Sequence, residues 1–142
     1  MPIEEWWSLY AAYAWMHKEC DRALSPRDLT VSQAAVVGFL GMAGRPLRVT
    51  TLARLLIQES QSATSLVDRM CAGGLVERVK DPDDRRVVRV RLTDKGEQLF
   101  DILKTTAPQF NDEMFSVLST EERETLKDLL QKFTRRNVQR FR

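Results

Sequence analysis

The sequence contains little of the material from which enzyme sites are built. It has a single histidine and two cysteines among 142 residues, and it has no glycine-rich phosphate loop, HExxH pair or nucleophile elbow. The acidic pair Glu121 and Glu122 falls at a helix-capping signature, which accounts for it without chemistry. These absences predict a protein that is not an enzyme and that needs no cofactor or metal ion.

Long hydrophobic runs are missing as well. No apolar stretch approaches the roughly 18 residues of a membrane span, and the opening segment MPIEEWWSLY is acidic where a secretion signal is basic. Cys20 and Cys71 lie far apart without metal-ligand spacing, which is typical of a reducing compartment. The sequence therefore predicts a cytoplasmic protein with no membrane partner.

The charge of the chain is nearly balanced, at +2, but it is unevenly distributed. Residues 41–95 carry eleven Lys or Arg against seven Asp or Glu, whereas the rest of the chain carries eleven against thirteen. A modestly basic middle part permits a polyanionic partner without requiring one.

Apolar residues at three- and four-residue spacing predict three helices in the first part of the chain. The first covers Glu4–Cys20 and ends before Pro26. The second opens with Thr30 and Gln33, the signature of a capping box, and buries Val36, Val37, Phe39 and Leu40. The third is the short segment TTLARLL, for which we expect Thr50 as the cap and an inward face of Leu52, Leu55 and Leu56.

A fourth helix and two strands follow. The segment ATSLVDRMCAGG ends in two glycines, Gly73 and Gly74, which are typical of a helix C-terminus. The apolar period then changes, and LVERVK and VVRVRL predict two antiparallel strands joined by DPDDRR. The inward face of the fourth helix is expected to consist of Ala63, Leu66, Val67 and Met70.

Two more helices are predicted at the end of the chain. Thr93 caps a helix from Asp94 to Leu118, with Leu99, Ile102, Leu103, Phe110, Met114 and Leu118 on its apolar stripe. Pro108 inside it should kink the helix or break its hydrogen-bond ladder, at a cost of about 3 kcal/mol. Ser119 and Glu122 form a second capping box, after which Leu126, Leu130, Phe133 and Phe141 share one side of a terminal helix.

The order of these elements predicts a mainly α fold with a small antiparallel β-hairpin. The short third helix and the fourth form a helix-turn-helix, and the hairpin directly after them is placed as its wing. We expect an N-terminal dimerisation helix in residues 1–28, a winged helix-turn-helix domain in residues 29–93 and C-terminal dimerisation helices in residues 94–142.

Three motifs make the sequence recognisable. They are the Leu52-Ala53 pair on the short helix, LVDRM…GLVER from Leu66 to Arg78, and a wing with DPDDRR at 81–86 followed by LTDKG at 92–96. Together they resemble the MarR family of bacterial winged helix-turn-helix regulators, and the likeness covers nearly the whole chain. Met70 stands where the family has leucine, a substitution that conserves volume.

The fourth helix is the expected recognition helix, because an α-helix fits the major groove of DNA and its N-terminal residues reach base edges. Gln61, Ser65, Asp68 and Ala72 lie opposite its apolar face, flanked by Ser62, Thr64 and Arg69. An ion pair within the domain is the alternative for Asp68 and Arg69, because a carboxylate is repelled by phosphates.

The hairpin tip carries three acids followed by two adjacent arginines. The resemblance implies that Arg86 enters the minor groove, where a narrow A·T-rich track concentrates negative potential. We expect Asp84 to hold a neighbouring guanidinium in place, and Arg85, Arg89 and Arg91 to contact phosphates or to lie on the surface. The alternative is a solvated, charge-balanced turn. The predicted DNA-contacting set is Thr50, Gln61, Ser62, Thr64, Ser65, Arg69, Asp84, Arg85 and Arg86.

These features predict a sequence-specific regulator of transcription that binds double-stranded DNA as a homodimer, more specifically a repressor on a near-palindromic operator. The resemblance implies that helices from both ends of two chains interlock, and that the spacing of the two winged domains is regulated. A winged-helix module that binds protein and not DNA is the alternative class.

The first helix is rich in aromatic residues, which at helical spacing indicate either core or interface packing or the wall of an effector pocket. A small aromatic or phenolic effector would be contacted by Trp6, Tyr10, Tyr13 and His17. Cys20 supports a further alternative, a regulator that responds to oxidants, although no neighbouring base is visible in the sequence.

Overall fold

The computed structural model describes residues 3–138. Within that range the chain forms six α-helices, one 3-10 turn and a three-stranded antiparallel sheet, which confirms the mainly helical fold with its small β-element. The chain divides into two compact units, residues 1–104 and 105–142. The three-part division into dimerisation and DNA-binding segments stays a prediction.

The first two helices follow the sequence signals closely. Helix α1 spans Glu4–Leu24, four residues beyond the predicted end, and a 3-10 turn at Ser25–Arg27 contains the proline that ends it. Helix α2 spans Val31–Ala43 and starts at the predicted capping box. There the Thr30 hydroxyl oxygen accepts from the Gln33 amide at 3.2 Å, and the Gln33 side-chain oxygen accepts from the Thr30 amide at 3.0 Å.

Helix α3, Val49–Leu56, corrects two expectations. Its N-cap is Arg48, so Thr50 is not the cap but an exposed residue inside the first turn. Arg48 is held extended by pairing with a strand, and the helix begins directly after it. Leu55 was expected to face inward but is 45% exposed, whereas Leu52 and Ala53 are buried. The inward face of this two-turn helix is centred on Leu52, Ala53 and the half-buried Leu56, so Leu55 lies at its edge.

The three strands form one sheet. Strand β1 is Leu47–Arg48, β2 is Val76–Lys80 and β3 is Val88–Leu92, in the order β1-β3-β2. The predicted hairpin of β2 and β3 is confirmed, and its register pairs Val76 with Leu92 and Lys80 with Val88. Strand β1 was not predicted, because two residues are too few to display the alternation that marks a strand.

Helix α4, Ser60–Ala72, buries the predicted face. Its four inward residues are at most 3% exposed and pack with side chains from α2, α3 and the sheet. The largest fully buried side chains are Val36, Val37, Leu52, Val67, Met70, Val76 and Val90. This core fixes the helix-turn-helix against the base of the hairpin, so the positions of both are set by one packed layer.

The last two helices differ from prediction in length more than in kind. Helix α5 spans Asp94–Met114, four residues shorter than predicted, and α6 spans Thr120–Val138. Pro108 has no amide hydrogen, so one bond of the ladder is missing there, yet α5 continues through it to Met114 and does not end at the proline. The capping box of α6 is confirmed by hydrogen bonds of 2.8 and 3.2 Å between Ser119 and Glu122. Phe141 lies outside the described residues.

The junction of sheet and α5 explains the glycine of the LTDKG segment. The Thr93 hydroxyl donates to the Gly74 carbonyl at 2.5 Å and accepts from the Gly96 amide at 3.2 Å. A Cβ atom on Gly96 would lie 2.1 Å from the carbonyl oxygen of Leu75, which itself accepts from the Thr93 amide. The backbones of α5 and of the turn before β2 therefore touch, and only glycine fits between them.

We expect Gly96→Ala to lower the free energy of unfolding by about 1–3 kcal/mol, because the new methyl group overpacks a backbone contact that cannot move alone. Gly38→Ala is the matched control, since a Cβ on this helical glycine meets nothing within 4 Å. The control should gain about 0.5–1 kcal/mol from helix propensity. Equilibrium urea unfolding of both variants measures the two shifts, and shifts of the same sign would contradict this account of the junction.

Candidate nucleic-acid interface

The turn between α3 and α4 is tight and holds a residue in a strained conformation. Ile57 caps α3 with φ of 54°, in the left-handed region, and the Gln58 amide donates to the Ala53 carbonyl at 2.9 Å. A β-branched residue in this region costs about 1–2 kcal/mol. The packing of α3 and α4 in the core therefore imposes the turn on a sequence that does not favour it.

The exposed face of α4 carries the polar residues that the sequence singled out. Gln61, Ser62, Ser65 and Arg69 are exposed and line one cleft of about 520 Å³. Thr64 is also exposed, but its hydroxyl donates to the Ser60 carbonyl at 2.9 Å and is thus engaged by its own helix. The same cleft is lined by Ser32, Gln58 and Glu59, which the sequence analysis missed.

Asp68 forms the ion pair that was the alternative to DNA contact. Its carboxylate accepts from the Arg78 guanidinium on β2 at 2.7 Å, and the same guanidinium lies 3.6 Å from the Cys71 sulfur. This contact ties the recognition helix to the hairpin. Arg69 forms no ion pair with any residue in the range 3–138, so the pairing alternative holds for Asp68 only.

The hairpin tip is organised by Asp81, a buried carboxylate that is 7% exposed. One oxygen accepts from the Asp83 and Asp84 amides at 2.9 and 3.2 Å, and the other accepts from the Arg89 guanidinium. The expectation that Asp84 holds a guanidinium is wrong: its carboxylate accepts from the backbone amide of Arg86 at 3.0 Å. The acids therefore shape the backbone of the tip, and Asp81 is the one that binds an arginine.

The four arginines at the hairpin tip and on β3 fall into two groups of two. Arg89 is bound by Asp81 through its Nε, and Arg91 pairs with Glu77 across the strands at 2.7 Å, so both charges are balanced within the hairpin. A phosphate contact by either arginine stays a prediction. Arg85 and Arg86 are exposed at the tip. Neither of them forms an ion pair with any residue of the described part of the chain. The tip thus presents two adjacent unpaired cations on a braced turn.

These contacts also change the titration of Asp81. The hydrogen bond from Arg89, followed by the one from the Asp83 amide, holds the pKa of Asp81 below its ordinary value. The carboxylate is therefore ionised at neutral pH, the state in which it accepts all three hydrogen bonds.

The aromatic residues of α1 lie on a helix that contributes no buried residue to the described part of the chain. The whole helix is described and buries none of its residues, and the rings of Trp6 and Tyr10 stack at 5.2 Å between centroids while staying exposed. Tyr13 lies against His17, which contacts Asp21 at 3.1 Å. These residues do not pack in the core of the described part of the chain. An effector contact by them stays a prediction.

The environment of Cys20 does not favour oxidant sensing. Burial raises the pKa of its thiol, and the neighbouring carboxylates of Asp21 and Glu19 raise it further. Reactive cysteines need the opposite, because the thiolate is the nucleophile. In residues 3–138 no group of three or more His, Cys, Asp or Glu side chains could hold a metal ion. No helix in that range is long and apolar enough to cross a membrane.

Known proteins are similar to this chain in sequence and in fold. Residues 27–87 match the MarR family. The multiple antibiotic resistance protein MarR of Salmonella typhimurium is 31% identical over 110 residues, which cover 77% of this chain and 76% of that protein. The HTH-type transcriptional regulator YsmB of Bacillus subtilis is 44% identical over 61 residues, 43% of this chain, and the match spans less than half of YsmB, 42%.

A solved structure is similar over more of the chain. It is the crystal structure of a mutant MarR from Escherichia coli in complex with operator DNA, with a TM-score of 0.81 and 25% identity. The similarity covers 94% of this chain and 94% of that one.

We expect Asp81→Asn to unfold at a lower urea concentration than the wild type at pH 7, because asparagine cannot form the ion pair with Arg89. A folded-state pKa below the unfolded value of about 3.9 means that the carboxylate stabilises the fold above that pH, and that this stabilisation is lost as the pH falls further. The difference between the proteins should thus shrink in acid.

Urea unfolding at pH 7 and at about pH 3 measures this shrinkage. Asp83→Asn at the same tip is the control, since Asp83 contributes its amide and not its carboxylate to the tip contacts. A difference between Asp81→Asn and wild type that does not change with pH would rule out the carboxylate as its cause.

Proposed function

The chain belongs to the MarR family of transcriptional regulators, and we propose that it is a homodimeric repressor that binds a near-palindromic operator. It acts in the cytoplasm, where bacterial DNA lies. We also predict an effector whose binding releases the DNA. The contacts of α1 neither support nor contradict this prediction.

One observation carries the proposal: the hairpin tip holds Arg85 and Arg86 exposed and unpaired among the described residues, while the arginines on the two strands, Arg78, Arg89 and Arg91, are each paired with an acid. The hydrogen bonds of Asp81 hold this turn in one conformation, which presents the two cations at a fixed position, as a DNA contact requires. Arginine inserted into a narrow minor groove is attracted by its concentrated negative potential. The polar face of α4 supplies donors and acceptors for the adjacent major groove.

The alternative of a protein-binding module is less well supported. A winged helix that has given up DNA should lose the tip cations and the polar recognition face, and this chain keeps both. The two classes differ in their response to salt, because each phosphate that a protein neutralises contributes about −0.9 to the slope of log K against log salt concentration.

The homodimer is supported by apolar side chains that stay exposed on the terminal helices. On α1 these include Trp6, Trp7 and Tyr10, each more than half exposed. On α6 Leu129 and Phe133 are exposed as well. Exposed apolar surface of this kind marks association sites. A two-fold dimer would place two recognition helices about 34 Å apart, one turn of DNA, which is why the proposed site is near-palindromic.

Repression is the simplest consequence of such binding, because a dimer on an operator occludes the promoter. The Escherichia coli MarR that resembles this chain was crystallised with operator DNA, which supports the same mode of action here.

Arg86→Ala should weaken binding to the DNA flanking its own gene by about tenfold or more, the effect of losing one well-placed arginine contact. Gel shifts at several salt concentrations measure both the affinity and the salt slope. Arg22→Ala is the matched control, because the Arg22 side chain is 69% exposed on α1 and forms only a neighbouring pair with Glu19. Equal affinity of wild type and Arg86→Ala would remove the wing from the mechanism, and a wild type that does not bind duplex DNA would favour the protein-binding class.

Trp6→Glu should shift the chain toward monomer, with a dimer dissociation constant raised about tenfold or more, because a carboxylate buried in an apolar interface lacks a partner. Met42→Glu is the control, since Met42 is 82% exposed at the end of α2 and outside the proposed interface. Sedimentation equilibrium gives the association state of all three proteins. A wild type that is monomeric at micromolar concentration would contradict the dimer.

A further inference from the structure

We propose that Glu59, at the entrance of the recognition helix, reads cytosine in the operator by accepting a hydrogen bond from its exocyclic amino group in the major groove. The inference rests on the proposed DNA binding and adds to it a residue that determines base preference. The DNA-contacting set predicted from the sequence did not contain this glutamate.

The carboxylate of Glu59 is available for such a contact. The residue is the N-cap of α4 in extended conformation, with φ of −64° and ψ of 146°. Its carbonyl accepts from the Ala63 amide at 3.1 Å, but its side chain makes no capping hydrogen bond. Its side chain is exposed, and in the described range it forms no ion pair. A side chain that neither caps its helix nor pairs with a cation has its acceptor oxygens open to solvent.

The position of Glu59 places it beside the major groove in the proposed complex with DNA. It lines the same cleft as Gln61, Ser62 and Ser65, three exposed neutral side chains in the first turns of α4. The N-terminal residues of a recognition helix are the ones that contact base edges. A helix that brings Gln61 to the bases therefore brings the side chain of Glu59 to the same region.

Charge determines which partner the carboxylate can have there. Against a phosphate it is repelled, so it fits a protein–DNA contact only where the DNA presents a donor. The major groove offers two donors, the amino groups of cytosine and of adenine. Adenine places its N7 acceptor beside the amino group, which repels a carboxylate, whereas cytosine contributes a donor alone on that edge. Cytosine is therefore the preferred base.

The test compares wild type with Glu59→Gln, which keeps the shape of the side chain and removes its charge. Both proteins are used to select operators from the DNA flanking the gene in which one half-site position at a time is randomised. We expect the wild type to prefer cytosine at one position of each half-site by about tenfold in Kd, consistent with the discrimination of one base contact. The variant should lose that preference and gain one for adenine, to which glutamine binds with both side-chain groups.

Glu121→Gln is the matched control, because Glu121 is also an exposed glutamate in the first turn of a helix, but that helix, α6, is not part of the helix-turn-helix. It should leave the base preference unchanged. Urea unfolding of both variants separates a role in helix stability from a role in recognition, since a favourable interaction with the helix N-terminus alone would change stability and not preference.

Two results would overturn the inference. If Glu59→Gln binds every sequence more tightly by the same factor, the carboxylate only repels phosphates and reads no base. If its base preference equals that of the wild type, Glu59 does not contact the bases. If the wild type itself binds no DNA, the proposed function is wrong, and the inference is wrong with it. The wild-type measurement alone shows this, so the two failures can be distinguished.

Discussion

The interaction on which the wing depends is the set of hydrogen bonds to the buried carboxylate of Asp81. It joins two backbone amides of the turn to the guanidinium of Arg89 on the returning strand, so one side chain fixes both the shape of the tip and the closure of the hairpin. Hydrogen bonds to an ionised acceptor are stronger than neutral ones. Because the tip is fixed in this way, Arg85 and Arg86 lose less conformational freedom on binding than they would on a loose loop.

The acids and the arginines of the hairpin thus have different roles. The acids act inside the molecule, by accepting from backbone amides and from the strand arginines Arg89 and Arg91, whereas the two arginines at the tip stay outside these pairs. A second ion pair, Asp68 with Arg78, joins the recognition helix to the same hairpin. The surfaces proposed to enter the two grooves are therefore connected through this ion pair and a shared core.

Much of this fold could be predicted from the sequence, because helix periods, capping boxes and the glycine pair are local signals. The buried face of α4 and both capping boxes follow from spacing alone. What could not be predicted depends on contacts between distant residues. Arg48 becomes extended only because β3 is beside it, and Asp81 is selected over Asp84 only because the strand brings Arg89 next to it. Glu59 was missed for a related reason, since a lone acid in a turn carries no periodic signal.

The left-handed conformation of Ile57 has a consequence for motion. Free energy stored in one turn lowers the barrier to opening that turn, and local opening draws on the least stable parts of a structure. The Gln58 amide, which donates across the turn to Ala53, belongs to such a part, and it should exchange its hydrogen with solvent sooner than the amides in the middle of α4. The N-terminal end of α4 therefore adjoins a segment that opens easily, while its buried face is held in the core, so that adaptability and rigidity lie within one turn of each other.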